Sequence, residues 1–325
     1  MRPEQCRANV SHEELTTVVR TRLCVIRTFP YAPIPANIPT PEVCRHMNSN
    51  DHMKSRTARF DDLIDDADRT PFAGWDFSWL DGRMVEDPLS WNYLEVVRRR
   101  LTGVASKSIL DLGTGGGEIL SQIAPLPALT VATEAYLPNA FVAARLLKPL
   151  RAHVIAQVVA VDGAPENYST LATPATNTPS LPFRDRAFDL VINRHESYLA
   201  AEVFRVLRPA GRFITQQCGG RNYAGLNDLL GLMPPRFESW NLSNARAQLQ
   251  AVGFEMLDAR EQFTHVRFHD VGAIVYFLKA APWQAPDFAT AKFRNRLAEL
   301  HAQIENAGPI AIRAHHFLIE AAKPA

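Results

Sequence analysis

The residues best placed to do chemistry form one short run, Asp111-Leu112-Gly113-Thr114-Gly115-Gly116-Gly117-Glu118. The preceding Ser108-Ile109-Leu110 is apolar, so the pattern reads as a strand entering a glycine-rich turn that opens a helix. Glycines let the backbone approach a ligand closely. Alone, that says only that a nucleotide-like cofactor sits here. Two carboxylates sharpen it. A dinucleotide fingerprint needs Gly or Ala at its sixth position. Counted from Gly113 that position holds Glu118, which would repel a pyrophosphate. Asp111 places a second acid at the strand end, which suits a cofactor carrying an ammonium group. Glu134 ends the next strand pattern, where an acid can accept both ribose hydroxyls, and Asp162-Gly163 ends the third, where it can accept from an adenine amine.

These groups need a parallel sheet to bring them together, and the chain alternates strand and helix patterns as such a sheet requires. Strands are expected at 108–112, 128–133, 154–161, 188–192, 212–216, from 254, and at 316–321. Helices are expected at 58–67, 88–101, 118–124, 138–150, 198–207 and 243–251. In the fourth helix Phe141, Val142, Leu146, Leu147 and Leu150 are the expected core residues.

Asp111–Gly117 resembles the first motif of class I S-adenosylmethionine-dependent methyltransferases, and Glu134 and Asp162 fall where that family places its ribose and adenine acids. Leu181–Val191 resembles the approach to the family's fourth strand, and Glu202–Phe213 its following helix, turn and fifth strand. The resemblance covers about residues 105–262 with a last strand near 315–321. More narrowly, the chain resembles bacterial small-molecule-type enzymes with a type 11-like core. It implies a Rossmann-like seven-stranded α/β sheet, mostly parallel with an antiparallel last strand and helices on both faces. It further implies S-adenosylmethionine as cofactor, held by Asp111, Gly113, Thr114, Gly115, Gly117, Glu134, Asp162, Gly163 and Asn193. The reaction implied is in-line methyl transfer to an N, O or C nucleophile of a small molecule. Two departures stand out: Ala210 replaces a common turn glycine, and 164–180, rich in Thr, Pro and Ala, lengthens the link after the adenine acid.

The fourth strand pattern ends at Asn193-Arg194-His195-Glu196, the edge that faces the transferable methyl in this fold. His195 is the candidate general base, since imidazole titrates near neutral pH, and Glu196 orients it or binds an amine. Trp75, Phe77 and Trp79 are candidates for an aromatic lid, or for core packing, and Tyr198 and Tyr276 for further substrate contacts. His265 and His269 stand four apart without the surrounding HExxH pattern, so no metal is expected. Neighbouring strand residues face opposite ways, which argues against a joint site at His315-His316.

Composition sets the outer bounds. The 325 residues are 46% hydrophobic and 21% charged, with a formal net charge of +1. That balance fits a folded enzyme and excludes a disordered chain. It gives no basic field for nucleic acid or an anionic membrane, so a small-molecule acceptor is expected. The readings left open are a methyltransferase acting on RNA or protein, and a non-catalytic S-adenosylmethionine-binding protein; the oligomeric state stays open. Cys6, Cys24, Cys44 and Cys218 form no metal clamp and read as free thiols in a reducing cytoplasm. Prolines at 30, 33, 35, 39 and 41 make the start extended, and Met47 and Met53 follow it. Residues 1–52 are thus expected to be a poorly ordered extension, and 1–46 are read either as part of it or as sequence upstream of a natural start. The expected division continues with a helical and aromatic cap over 53–104, then a methyltransferase domain over 105–325 with a substrate-covering insert near 263–310.

Overall fold

A computed structural model describes residues 60–72, 77–103, 107–156, 180–235, 237–286 and 288–325. The extension before residue 60, Trp75, Asp162, Gly163 and nearly all of the 164–180 segment lie outside the described residues.

The sheet begins where the apolar runs predict. Strand β2 (Ser108–Leu112) is buried along its whole length, as a central parallel strand must be. On one side it pairs with β3 (Leu129–Glu134), and β3 with β4 (His153–Ala156); on the other it pairs with β5 (Phe188–Arg194), and β5 with β6 (Leu207–Cys218). All four pairings are parallel. Strand β8 (Ile310–Ala322) then runs antiparallel between β6 and β7 (Glu255–Phe268). This is the expected Rossmann-like, mostly parallel sheet with an antiparallel last strand. An eighth strand extends it: β1 (Met84–Glu86) pairs antiparallel with the outer edge of β7.

Helices α1 (Phe60–Arg69) and α2 (Tyr93–Gly103) precede this core. After β2 comes the single turn α3 (Glu118–Ser121); α4 (Leu137–Leu147) follows β3, α5 (Ala200–Val206) follows β5, and α6 (Ala224–Leu230) with α7 (Leu242–Ala251) follow β6. Between β7 and β8 lie α8 (Val271–Ala280) and α9 (Thr290–Ala307). Among the described residues no helix is long and apolar enough to cross a membrane.

Strands β7 and β8 run on for 14 and 13 residues, well past the short strands expected there. Phe263, expected to open an insert, lies inside β7. The far ends of these two strands carry a cap of α1, α6, α8 and α9 around a core that includes Ile64, Ile274, Phe277 and Leu297. The apolar Val271–Leu278 run is therefore a buried helix, capped by the Asp270 side chain accepting from the Ala273 N–H at 2.9 Å.

Helix α4 corrects the sequence reading of its core face. Phe141, Val142 and Leu146 are 60%, 45% and 41% exposed, while Ala140, Ala143 and Leu147 are fully buried. The cause is a close approach to the glycine turn. A Cβ added at Gly117 would stand 2.9 Å from Leu147 Cγ and 3.4 Å from Ala143 Cα. The face carrying Ala140, Ala143 and Leu147 meets that turn, so Leu147 is buried as expected while Phe141, Val142 and Leu146 point outward.

The approach to β5 is fixed by one arginine. Arg205 donates twice to the Glu202 carboxylate at 2.7 Å, to Asp185 at 2.8 Å, and to the carbonyls of Phe183 (2.8 Å) and Leu181 (3.0 Å). Removing it strands a part-buried carboxylate and two carbonyls. Arg205→Met is expected to lower unfolding stability by about 2–4 kcal/mol in urea denaturation. A loss below about 0.5 kcal/mol would show that the network acts as an ordinary surface ion pair.

Candidate active site

The carboxyl ends of β2, β3 and β5 converge on one crevice, the place where an open α/β sheet binds ligands. Gly113, Gly115 and Gly117 all adopt positive φ, at 72°, 62° and 89°. This is the left-handed region that glycine enters without strain, and it explains three of the turn's glycines by backbone geometry. The turn is pinned to β3 by the Gly113 and Thr114 N–H groups donating to the Thr133 carbonyl at 3.1 and 2.9 Å.

Three acids gather on this turn. Asp111 ends β2 and is 5% exposed; burial, opposed by the neighbouring Thr114 hydroxyl, pushes its carboxyl up to about 6. Glu134 ends β3, also 5% exposed, and accepts from the N–H of Gly115 and of Tyr136, each at 2.8 Å. Burial raises it to about 7 despite those bonds, and the charge of Glu196 adds to the rise. Glu196 leans over the turn, so close that a Cβ on Gly113 would lie 2.4 Å from its own Cβ. Burial raises its carboxyl as well, against bonds from the Ser197 N–H and hydroxyl to Oε1. Among the described residues no lysine, arginine or histidine pairs with Asp111, Glu134 or Glu196. A crevice with two buried carboxylates and a third, partly buried one beside them fits a cationic ligand that also carries hydroxyl or N–H donors, and it opposes a phosphate.

Asn193 has a different place from the one expected. Its side chain is fully buried, with Nδ2 donating to the Leu112 carbonyl at 3.1 Å and Oδ1 accepting from Thr215 (2.8 Å) and Gln217 (2.5 Å). Each polar atom has a partner and the side chain is fully buried, so Asn193 ties β5 to β2 and β6 rather than facing the crevice.

His195 is likewise engaged. It sits at φ 60°, an unusual conformation for a non-glycine residue, with its N–H donating to the Gln216 carbonyl at 2.8 Å. The Trp91 indole donates to Gln216 Oε1 at 2.9 Å, which turns the amide nitrogen of Gln216 toward His195 Nε2, 3.2 Å away. Indole is a donor only, so the relay leaves His195 Nε2 as acceptor and the proton on Nδ1. Nδ1 faces Cys218 Sγ at 2.9 Å. Desolvation of the ring, with Arg194 and His316 nearby, holds this imidazole well below its usual range, although part of the residue meets solvent. Neither ring nitrogen is open to a substrate proton in this arrangement.

The aromatic candidates pack inward. Tyr276 is 3% exposed and lies 4.5 Å from the Trp79 ring, and Phe72 contacts Phe77 at 5.0 Å. The Arg83 guanidinium covers Trp79 at 3.6 Å and bonds both oxygens of Asp270 at 2.7 Å. Phe77, Trp79 and Tyr276 thus form the cap's core, and the cation over Trp79 comes from the protein itself. Tyr198 is 6% exposed against Phe213, with its hydroxyl unpartnered and its phenol raised by burial. Phe77 and Trp79 are partly buried against the cap's core, which is the packing alternative expected for them, and Tyr198 and Tyr276 are buried.

Sequence reasoning missed several neighbours. Tyr93 of α2 donates to the Asn193 carbonyl at 3.2 Å and feels the Asp111 charge. Cys218 and His316 stand beside His195, and His316 Nε2 lies 2.7 Å from Glu86 of β1. Only the strand alternation at His315-His316 hinted at this. His316 shares the face of Cys218, while His315 turns to the other face, to Glu261 at 2.9 Å.

No protein-family model matches the chain, and no curated protein matches it. Among solved structures it is similar to the YcgJ protein from Bacillus subtilis, at 18% identity over 72% of this chain and 98% of that one, with a TM-score of 0.47. It is also similar to phosphoethanolamine N-methyltransferase 2 from Haemonchus contortus in complex with S-adenosyl-L-methionine, at 14% identity over 81% and 60% of the two chains and a TM-score of 0.44. A third is the [4+2]-cyclase SpnF, at 18% identity over 82% and 92% and a TM-score of 0.39.

Proposed function

We propose that the chain is a class I S-adenosylmethionine-dependent methyltransferase acting on a small molecule. The observation that carries this reading is the buried pair Asp111 and Glu134 with the partly buried Glu196 beside them, none with a basic partner among the described residues, around a turn of positive-φ glycines. S-adenosylmethionine brings an ammonium, a sulfonium and two ribose hydroxyls, the complement such a crevice needs. Asp111, with Gly113, Thr114, Gly115 and Gly117 beneath, would hold the amino-acid end, and Glu134 the ribose. Asp162 and Gly163 keep their proposed place at the adenine.

When bound, the cofactor supplies an activated methyl group on sulfur. The protein's share is to align the acceptor and exclude water. Glu196 is the group best placed to take a proton from the acceptor. Burial raises its carboxyl, and among the described residues hydrogen bonds reach only Oε1. His195 would first have to release Gln216 or Cys218. The near-neutral chain favours a small acceptor over a nucleic acid.

Calorimetry with S-adenosylmethionine, its demethylated product and NAD tests the cofactor. Micromolar binding of the first two and none of NAD is expected. Binding of NAD alone would remove the reading.

A further inference from the structure

A second constellation lies on the same edge of the sheet. His195 follows β5, Cys218 ends β6 and His316 lies on β8, and one ligand atom from each falls within 4.8 Å of the others. His195 Nδ1 is 2.9 Å and His316 Nδ1 3.9 Å from Cys218 Sγ. Donor atoms around a tetrahedral zinc ion stand about 3.3–3.6 Å apart, given Zn–N near 2.0–2.1 Å and Zn–S near 2.3 Å. The cluster thus brackets that spacing without a backbone change.

We propose that His195, Cys218 and His316 form a three-ligand site for a divalent zinc-type cation. Two imidazoles and one thiolate are a borderline-soft set that suits Zn²⁺ better than Mg²⁺ or Ca²⁺. The surroundings supply what such a site needs behind its ligands. Glu86 accepts from His316 Nε2 at 2.7 Å, which leaves Nδ1 as the ligand nitrogen. Glu86 is itself held by the Thr264 hydroxyl at 2.9 Å and the Tyr223 hydroxyl at 3.3 Å. An edge strand, the last strand and a cap helix therefore all aim one histidine at one thiol.

His195 sets the condition for loading. A metal on Nδ1 puts the ring proton on Nε2, which then needs an acceptor. Gln216 must turn its oxygen to the ring or share it with the Trp91 indole. Gln216→Glu offers carboxylate oxygens to both donors at once. This variant should bind the metal more tightly, which a site made of the thiol alone would not show.

The full chain, stripped with chelator, is titrated with Co²⁺ by visible absorption and with Zn²⁺ by calorimetry. One equivalent is expected, with a thiolate-to-cobalt charge-transfer band. Cys218→Ser should abolish the band, and His316→Ala should weaken Zn²⁺ binding at least 100-fold. Gln216→Glu should strengthen it about tenfold. Cys6, Cys24 and Cys44 remain in every variant, so a band that survives Cys218→Ser places the metal on them and overturns the proposal. Absence of any band in the folded wild-type chain, checked by circular dichroism, does so too. If Cys218→Ser fails to fold, His195→Ala gives the same reading: unchanged Zn²⁺ affinity there overturns the site. Binding of S-adenosylmethionine is measured separately, so loss of the metal site leaves the methyltransferase reading standing, and the reverse.

Discussion

Asp111→Asn is expected to make the protein more stable at pH 8 while weakening S-adenosylmethionine binding about 10–100-fold. Both effects come from one buried, unpaired carboxylate. In the fold its pKa rises from 3.8 to about 6, so between those values the folded chain keeps a proton that the unfolded chain has released. Stability therefore falls as pH rises through that window and stays low above it. A tenfold difference in proton affinity between the folded and unfolded chain is worth about 1.4 kcal/mol, so the neutral amide recovers about 2–3 kcal/mol at most. For a chain of this size that is a rise of about 5 °C in Tm at pH 8, shrinking to nothing near pH 4. The cofactor's ammonium favours the charged carboxylate. Wild-type affinity should therefore tighten from pH 5 to 7 with release of a proton, and the Asn variant should lose that dependence. Thermal melts at three pH values and calorimetry in two buffers of different ionisation enthalpy check this. Equal affinity of variant and wild type would remove Asp111 from the cofactor site.

The same carboxylate shows how much was legible in the sequence. Strand β2, its glycine turn and the acids at 111 and 134 lie in one short stretch, so their spacing alone predicted a shared crevice, and the parallel sheet followed from the alternation of apolar runs. What escaped notice was built across distance. Cys218 pairs with His195 and His316 only because β5, β6 and β8 are neighbours, a fact no local pattern carries. Side-chain roles that depend on hydrogen-bond count were equally hidden. Asn193 reads as a cofactor ligand by position, yet Thr215, Gln217 and the Leu112 carbonyl partner its buried polar atoms. The sequence left the aromatic segment open between lid and packing for a related reason. Trp79 and Tyr276 are 197 residues apart in the chain (276 − 79) and meet only through the cap. The face of α4 was misassigned because periodicity ranks residues by hydrophobicity. The glycine turn instead takes the face that carries Ala140, Ala143 and Leu147.

Gly113→Ala should weaken S-adenosylmethionine binding at least 100-fold and cost about 3–4 kcal/mol of stability. Two penalties combine. The residue sits at φ 72°, where an L side chain costs about 1–2 kcal/mol. The new Cβ would also stand 2.3 Å from Glu196 Cγ and 2.4 Å from Glu196 Cβ. Such a contact cannot be relieved by a rotamer, because Cβ is fixed to the backbone. Either the glycine turn or the end of β5 must move, and both line the crevice. Gly82→Ala separates the two penalties: its φ is 73° and nothing lies within 4 Å of its Cβ, so it should cost about 1 kcal/mol and leave cofactor affinity unchanged. A second-site test follows from the geometry. Glu196→Ala keeps the offending Cβ and should not rescue Gly113→Ala, whereas Glu196→Gly should restore part of the stability. Urea unfolding of these variants with matched calorimetry checks the set. Rescue by Glu196→Ala would mean that Glu196 blocks the turn through its flexible end, and that the backbone of β5 never had to move.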